Sequence, residues 1–315
     1  MKKTLLATML LSGMLLCGCD SLIASSSEDS SEYSAPTTIE DSTSYSDKAL
    51  EVKPLGDAAA PTFDSSTKTY SFEVTENDIS YELSGAFEGT FAINNTADLE
   101  DHGRVLFVLN GVNLTNMATE GVVFSYNSKK SSLVLQANDG TVNKIAADGI
   151  PVSCNNDLHL CGNGSLTLSS KVDHAAKADD IRVYDRLALK VNGSGKDGLH
   201  GDNFFTDNGK DGGEKVNFSG TIDIKNAGKQ AFDFSDSSSW DGSITIGTGT
   251  TITIDGCENA FKTDTNLIID GSVTGVHIDN DPICKDKNYS GTVNAVISGF
   301  VSFNGATLSK GSYTY

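Results

Sequence analysis

Residues 165–202 read SLTLSSKVDHAAKADDIRVYDRLALKVNGSGKDGLHGD. Two short alternating apolar runs stand in this stretch, Ser165-Leu166-Thr167-Leu168 and Leu187-Ala188-Leu189-Lys190-Val191, each with turn-forming residues close behind. Such alternation over four or five residues predicts strands. Asp173-His174-Ala175-Ala176 and Asp197-Gly198-Leu199 follow the two runs, and Asp148-Gly149-Ile150 precedes them at nearly the same spacing. Gln230-Ala231-Phe232 and Asn259-Ala260-Phe261 extend the pattern downstream. A period near 24 with two or three strands per repeat marks a solenoid, because one coil cannot bury its apolar face alone and must stack on the next. No long apolar stripe of helical period interrupts the pattern. The predicted fold is all-β: a parallel β-helix of about ten coils over residues 56–315. The longer interval from Asp197 to Gln230 reads as one coil plus a loop at Phe204–Glu214. A pair of β-sandwiches is the competing architecture, since hairpin-type Asn-Gly turns are also plentiful.

The N-terminus is of a different kind. Lys2 and Lys3 precede an apolar stretch from Leu5 to Leu16, too short for a transmembrane span. It closes with Leu16-Cys17-Gly18-Cys19, which resembles the bacterial lipobox, with Cys19 as the lipidated residue. The alternative is an ordinary cleaved signal peptide. The resemblance implies a signal peptide over 1–18 and a palmitate-type acyl anchor on Cys19 that holds the chain to a membrane without crossing it. Residues 19–55, rich in Ser, Thr, Asp and Glu, are expected to form a solvated tether. The expected location is the bacterial cell envelope, facing the periplasm or the exterior.

The chain carries 42 acidic and 23 basic residues and a net charge of −19, which becomes −21 once Lys2 and Lys3 leave with the signal. That balance excludes nucleic acid and anionic membrane surfaces as partners. The later cysteines, Cys154, Cys161, Cys257 and Cys284, lack paired CxxC zinc spacing, and they read equally as disulfides or as buried thiols.

Gly111-Val112-Asn113-Leu114-Thr115, then Ser132-Leu133-Val134-Leu135-Gln136-Ala137-Asn138-Asp139-Gly140-Thr141-Val142-Asn143, and then the phased Asp repeats, resemble a bacterial carbohydrate-binding family typified by a clostridial surface protein. The resemblance covers roughly residues 85–280. It implies a right-handed parallel β-helix that binds calcium, acidic polysaccharides such as polygalacturonate, and cellulose. The chain departs from the family pattern at Asp173-His174-Ala175-Ala176, Gln230-Ala231-Phe232 and Asn259-Ala260-Phe261.

Calcium also has a physical argument of its own. Coils stack about 4.8 Å apart, so same-phase aspartates repel by about 3.5 kcal/mol at an effective dielectric near 20. They must splay, protonate or share a cation, and calcium accepts six to eight such oxygens. The predicted ligands are Asp148, Asp173, Asp179, Asp180, Asp197 and Asp202; the alternative is a solvated acidic edge. Asp207-Asn208-Gly209-Lys210-Asp211-Gly212 lacks the ligand spacing of an EF-hand and reads as a loop. Tyr184, Phe204, Phe205 and Trp240 are the predicted sugar-stacking residues, against the commoner fate of core packing. Catalysis is not expected. The rival is a calcium-dependent polysaccharide lyase using one of the three arginines, Arg104, Arg182 or Arg186; a third reading is a structural or adhesive surface protein. The five histidines are scattered, with no HExxH motif. The chain is expected to act as a monomer.

Overall fold

The computed structural model describes residues 45–95, 103–128, 130–206, 218–235 and 240–315. Cys19, the 1–18 leader, most of the tether and the 207–212 segment lie outside the described residues. Every regular element among those described is a β-strand. The strands form three parallel ladders. The first climbs through Ile79–Glu88, Arg104–Asn116, Ser132–Ala137, Leu158–Gly162, Asp180–Val183, Asn203–Phe205, Ser243–Ile246, Asn266–Ile269 and Asn294–Ile297. The second starts in the C-terminal halves of the two long strands and continues through Val142–Ala147, Ser165–Ser170, Ala188–Ser194, Thr221–Ala227, Thr251–Cys257, Ser272–Ile278 and Phe300–Phe303. The third runs from Thr69–Val74 through Thr90–Asn95, Phe124–Tyr126, Val152–Cys154, Ala176–Lys177, Leu199–Gly201, Gln230–Phe234 and Asn259–Thr263 to Ile283–Cys284. This is the predicted parallel β-solenoid.

Alternation sends every second side chain inward, where equivalent positions of successive coils stack. One such column is Ile79, Val105, Leu133, Leu158, Ile181, Phe204, Ile244, Leu267 and Ala295, all buried. Each large apolar member contributes roughly 2 kcal/mol of burial. Phe72, Tyr81, Phe91, Phe107 and Phe124 form a packed aromatic group at the N-terminal end. The Gly140-Thr141-Val142-Asn143 segment has a structural task here. Asn143 is fully buried and takes the N–H groups of Gly111 and Val112 on one oxygen, at 2.9 and 3.1 Å. Its amide donates to Thr141 Oγ1 and to the Ser165 carbonyl, so one side chain ties three coils together at a corner.

The solenoid has fewer than the ten coils expected. Antiparallel strands cap both ends: Glu51–Leu55 pairs with Ile79–Glu88 at the start, and Gly311–Thr314 with Asn294–Ile297 at the finish. Caps cover edges that would otherwise recruit other chains. They take residues that the period alone would assign to further coils. Because Glu51–Leu55 belongs to a cap, ordered pairing begins inside the segment expected to be tether. Cys154, Cys161 and Cys257 are buried free thiols.

Candidate functional site

On the outer face of the first ladder the register lines up Ser80, Leu106, Val134, His159, Arg182 and Phe205 in one row. Glu82, Val108, Gln136 and Cys161 form the next row, which Tyr184 extends. Between them lies a groove of about 240 Å³ lined by Asp78, Ser80, Arg104, Leu106, Val134, Gln136, Cys161, Tyr184 and Asp185. Arg104, at the start of its strand, is exposed and forms no ion pair among the described residues. A larger, shallower hollow of about 520 Å³ lies near Thr250 and Lys310, but Gly, Ser and Thr dominate its lining. The smaller groove holds the more varied chemistry.

Burial sets the protonation of the groove wall. It holds His159 neutral, down to about 3, with the Arg182 and Arg104 guanidinium groups adding to the effect. Burial pushes the Cys161 thiol up to about 12 and raises the Tyr184 phenol as well. Tyr184 meets the His159 ring edge-on at 5.8 Å. Arg182 bonds Asp180 Oδ2 through Nη2 at 3.1 Å, approaches Asp157 Oδ2 at 3.5 Å through Nε, and lies 4.8 Å over the Phe205 ring. Asn203 donates to the other Asp180 oxygen at 2.9 Å, and Ser243 donates to Asn203 at 2.7 Å. The result is a polar ladder beside the groove.

The six predicted calcium ligands separate into two groups. Asp180 opposes Asn203, so the preceding residues Asp179 and Asp202 occupy one corner position in adjacent coils. The N–H of Asp202 donates to the Asp179 carbonyl. Their backbones are adjacent, but both Asp180 oxygens are engaged by Arg182 and Asn203, and the three carboxylates do not gather within 4.8 Å of one another. Asp148, Asp173 and Asp197 do not form the ladder expected of them. The register pairs Ala147 with Ser170 and Ala176 with Leu199, so a true coil is slightly shorter than the spacing from Asp148 to Asp173 or from Asp173 to Asp197. A slip of one or two positions moves a side chain out of its column. Asp148 instead meets Lys171 at 3.3 Å, and Asp173 meets Lys196 at 3.1 Å. Lysines one coil on therefore relieve the repulsion that the spacing implied.

Asp197 has the most unusual setting of the six. It is 3% exposed, and His174 Nδ1 and His200 Nδ1 approach its Oδ2 at 3.0 and 3.2 Å. Beyond it the same face continues through Asp233, Lys262 and Asp286 by ion pairs of 3.2 and 3.1 Å.

The predicted aromatics also divide. Tyr184 lines the groove and Phe205 faces outward under Arg182. Phe204 is not in a loop: it lies on an inward strand position, is fully buried, and packs on Phe232 and Phe234. Trp240 stands outside the groove and stacks on Tyr289 at 5.7 Å. Gln136 in the groove and the pairing of His174 with His200 were not singled out from sequence, and Arg104 was weighed only as a lyase base. The usable signal was that His174 and Asp197 stand one true coil apart, the same separation as the paired Ala176 and Leu199.

A family model described as carbohydrate-binding domain-containing protein matches residues 69–312. The chain belongs to that family. The match spans all three ladders and includes the groove, so the carbohydrate-binding domain and the solenoid are one unit. Comparison with curated proteins and with solved structures returned no match.

Proposed function

We propose that this carbohydrate-binding solenoid is a non-catalytic, calcium-dependent receptor for an acidic polysaccharide of the polygalacturonate type, tethered to a bacterial envelope through Cys19. The observation that carries the reading is the groove. It presents the guanidinium of Arg104 beside Gln136 and the amphipathic Tyr184 on a chain of net charge −19. A guanidinium matches a uronate carboxylate in shape and charge, and a half-buried tyrosine offers a sugar both a flat face and a polar tip. Calcium held at the Asp179, Asp180 and Asp202 corner would add a second carboxylate-binding point and reverse the local field there. Binding rather than catalysis is favoured by the groups themselves. The Cys161 thiol and Tyr184 phenol have raised pKa values and stay protonated at neutral pH. His159, 8% exposed, is kept from its cationic form and so is a poor proton donor.

The test is retention on immobilised polygalacturonate and cellulose, in calcium and in chelator, with absorbance monitored for unsaturated uronates. Calcium-dependent retention without product is expected. Arg104→Gln should lower retention about tenfold with an unchanged melting temperature. Release of unsaturated product would make the protein a lyase, and wild-type-like retention by the Arg104→Gln variant would place the glycan elsewhere.

A further inference from the structure

His174 and Asp197 lie on adjacent coils, and His200 follows shortly after Asp197, on the third-ladder strand Leu199–Gly201. One ligand atom from each of the three falls within 4.8 Å of the others. The two rings lie nearly parallel, with centroids 4.1 Å apart and 20° between their planes. Two cationic imidazoles held so close would repel, and the arrangement asks what sits between them and Asp197.

The contacts around the cluster narrow the answer. His174 Nε2 faces Asp173 Oδ1 at 3.3 Å. A carboxylate there favours the proton on Nε2 and leaves the Nδ1 lone pair as the inward-facing atom. That lone pair faces a carboxylate oxygen 3.0 Å away, a repulsive contact unless a proton or a metal cation lies between them. The alignment does not suit a shared proton: Nδ1 of His174 and of His200 are both buried without a hydrogen-bond partner, and His174 is 8% exposed overall. The other Asp197 oxygen, Oδ1, already accepts the Gln230 N–H at 3.2 Å, which leaves Oδ2 for the shared position.

We infer that His174 Nδ1, His200 Nδ1 and Asp197 Oδ2 form a binding site for a first-row transition metal ion of the zinc class. Ligand bonds of about 2.0–2.2 Å at a tetrahedral angle separate neighbouring donors by about 3.3–3.5 Å. The nitrogen-to-oxygen distances of 3.0 and 3.2 Å need only a small expansion to reach that edge length. Asp233 Oδ2, 3.8 Å from His200 Nδ1, can close the fourth position; otherwise water does. Two imidazoles and one carboxylate suit zinc, copper or nickel, whereas calcium needs six or more oxygens. Asp173 behind His174 supplies the carboxylate–histidine–metal relay that such sites use to orient a ligand ring. The His200 side chain, 26% exposed, provides the way in. The site lies on the third ladder, away from the groove, and it pins two successive coils.

The test uses the purified protein stripped with chelator and titrated with zinc(II), and separately with cobalt(II) as a spectroscopic stand-in. The expected result is one tightly held zinc ion per chain, visible d–d absorption of four-coordinate cobalt, and no displacement by a hundredfold excess of calcium. His174→Gln and His200→Gln should each weaken zinc binding at least tenfold. Asp173→Asn should weaken it about tenfold without removing a ligand. None of the three should alter calcium-dependent glycan retention. The double variant His174→Gln/His200→Gln, checked for folding by circular dichroism, is the background reference. Zinc affinity equal in wild type and double variant, an octahedral cobalt spectrum, or displacement by calcium would each overturn the assignment.

Discussion

Replacing His159 with Gln should flatten the acid limb of this protein's stability. His159 is 8% exposed under Arg182 and Tyr184, and burial with two nearby guanidinium groups takes its folded value to about 3 from an ordinary 6.5. Asp157 Oδ2, 4.0 Å from Nε2, does not reverse this, because Arg182 engages the same oxygen at 3.5 Å. The unfolded chain therefore takes up a proton as pH falls through about 6.5, while the folded chain resists until about 3. Stability from the neutral ring is fully present above the unfolded value and is lost as pH falls. Between pH 7 and pH 5 the loss is roughly 2 kcal/mol by linkage, which moves a urea midpoint by about 1 M. The window excludes the acid Asp286, whose folded value lies below 3.8 and whose contribution fades only at lower pH. Urea midpoints of wild type and His159→Gln at the two pH values measure the difference directly. Whatever its starting stability, the variant's midpoint should move far less. An equal shift in both proteins would show that His159 is not the group held neutral.

Three other outcomes follow from the packing. Phe204→Ala should cost about 3–5 kcal/mol of unfolding free energy, whereas Phe205→Ala, next to it on the outer face, should cost well under half as much in the same denaturation assay. Gly162 has φ +101°, and an added Cβ would press into the Ala137 carbonyl oxygen far inside van der Waals contact; Gly162→Ala should therefore lower the melting temperature clearly more than Gly140→Ala, which meets nothing within 4 Å and carries only the left-handed backbone cost of about 1–2 kcal/mol. Cys154, Cys161 and Cys257, each pushed up to about 12 by burial, should escape maleimide in the native protein and label on unfolding, as read by peptide mass mapping.

Much of this molecule was legible in its one-dimensional pattern. Strand alternation at Ser165–Leu168 and Leu187–Val191, turns close behind each, and a nearly constant period suffice for a parallel solenoid, because those features are local and each coil repeats the last. The shared corner position of Asp179 and Asp202 was legible for the same reason: they stand one true coil apart. What the period could not supply was phase. Asp148, Asp173 and Asp197 recur at slightly more than a coil, and only the hydrogen-bonded register shows that they meet Lys171, Lys196 and His174 instead of one another. The same limit applies to Phe204 and Phe205, adjacent in sequence and on opposite faces of the sheet, and to the groove, whose Arg104, Gln136 and Tyr184 come from three different coils. Sequence alone determined that coils must stack, since no single coil can bury its apolar face. Tertiary structure alone decided which polar side chains share a column, since a slip of one position costs little in local propensity and yet reverses the face on which a side chain emerges.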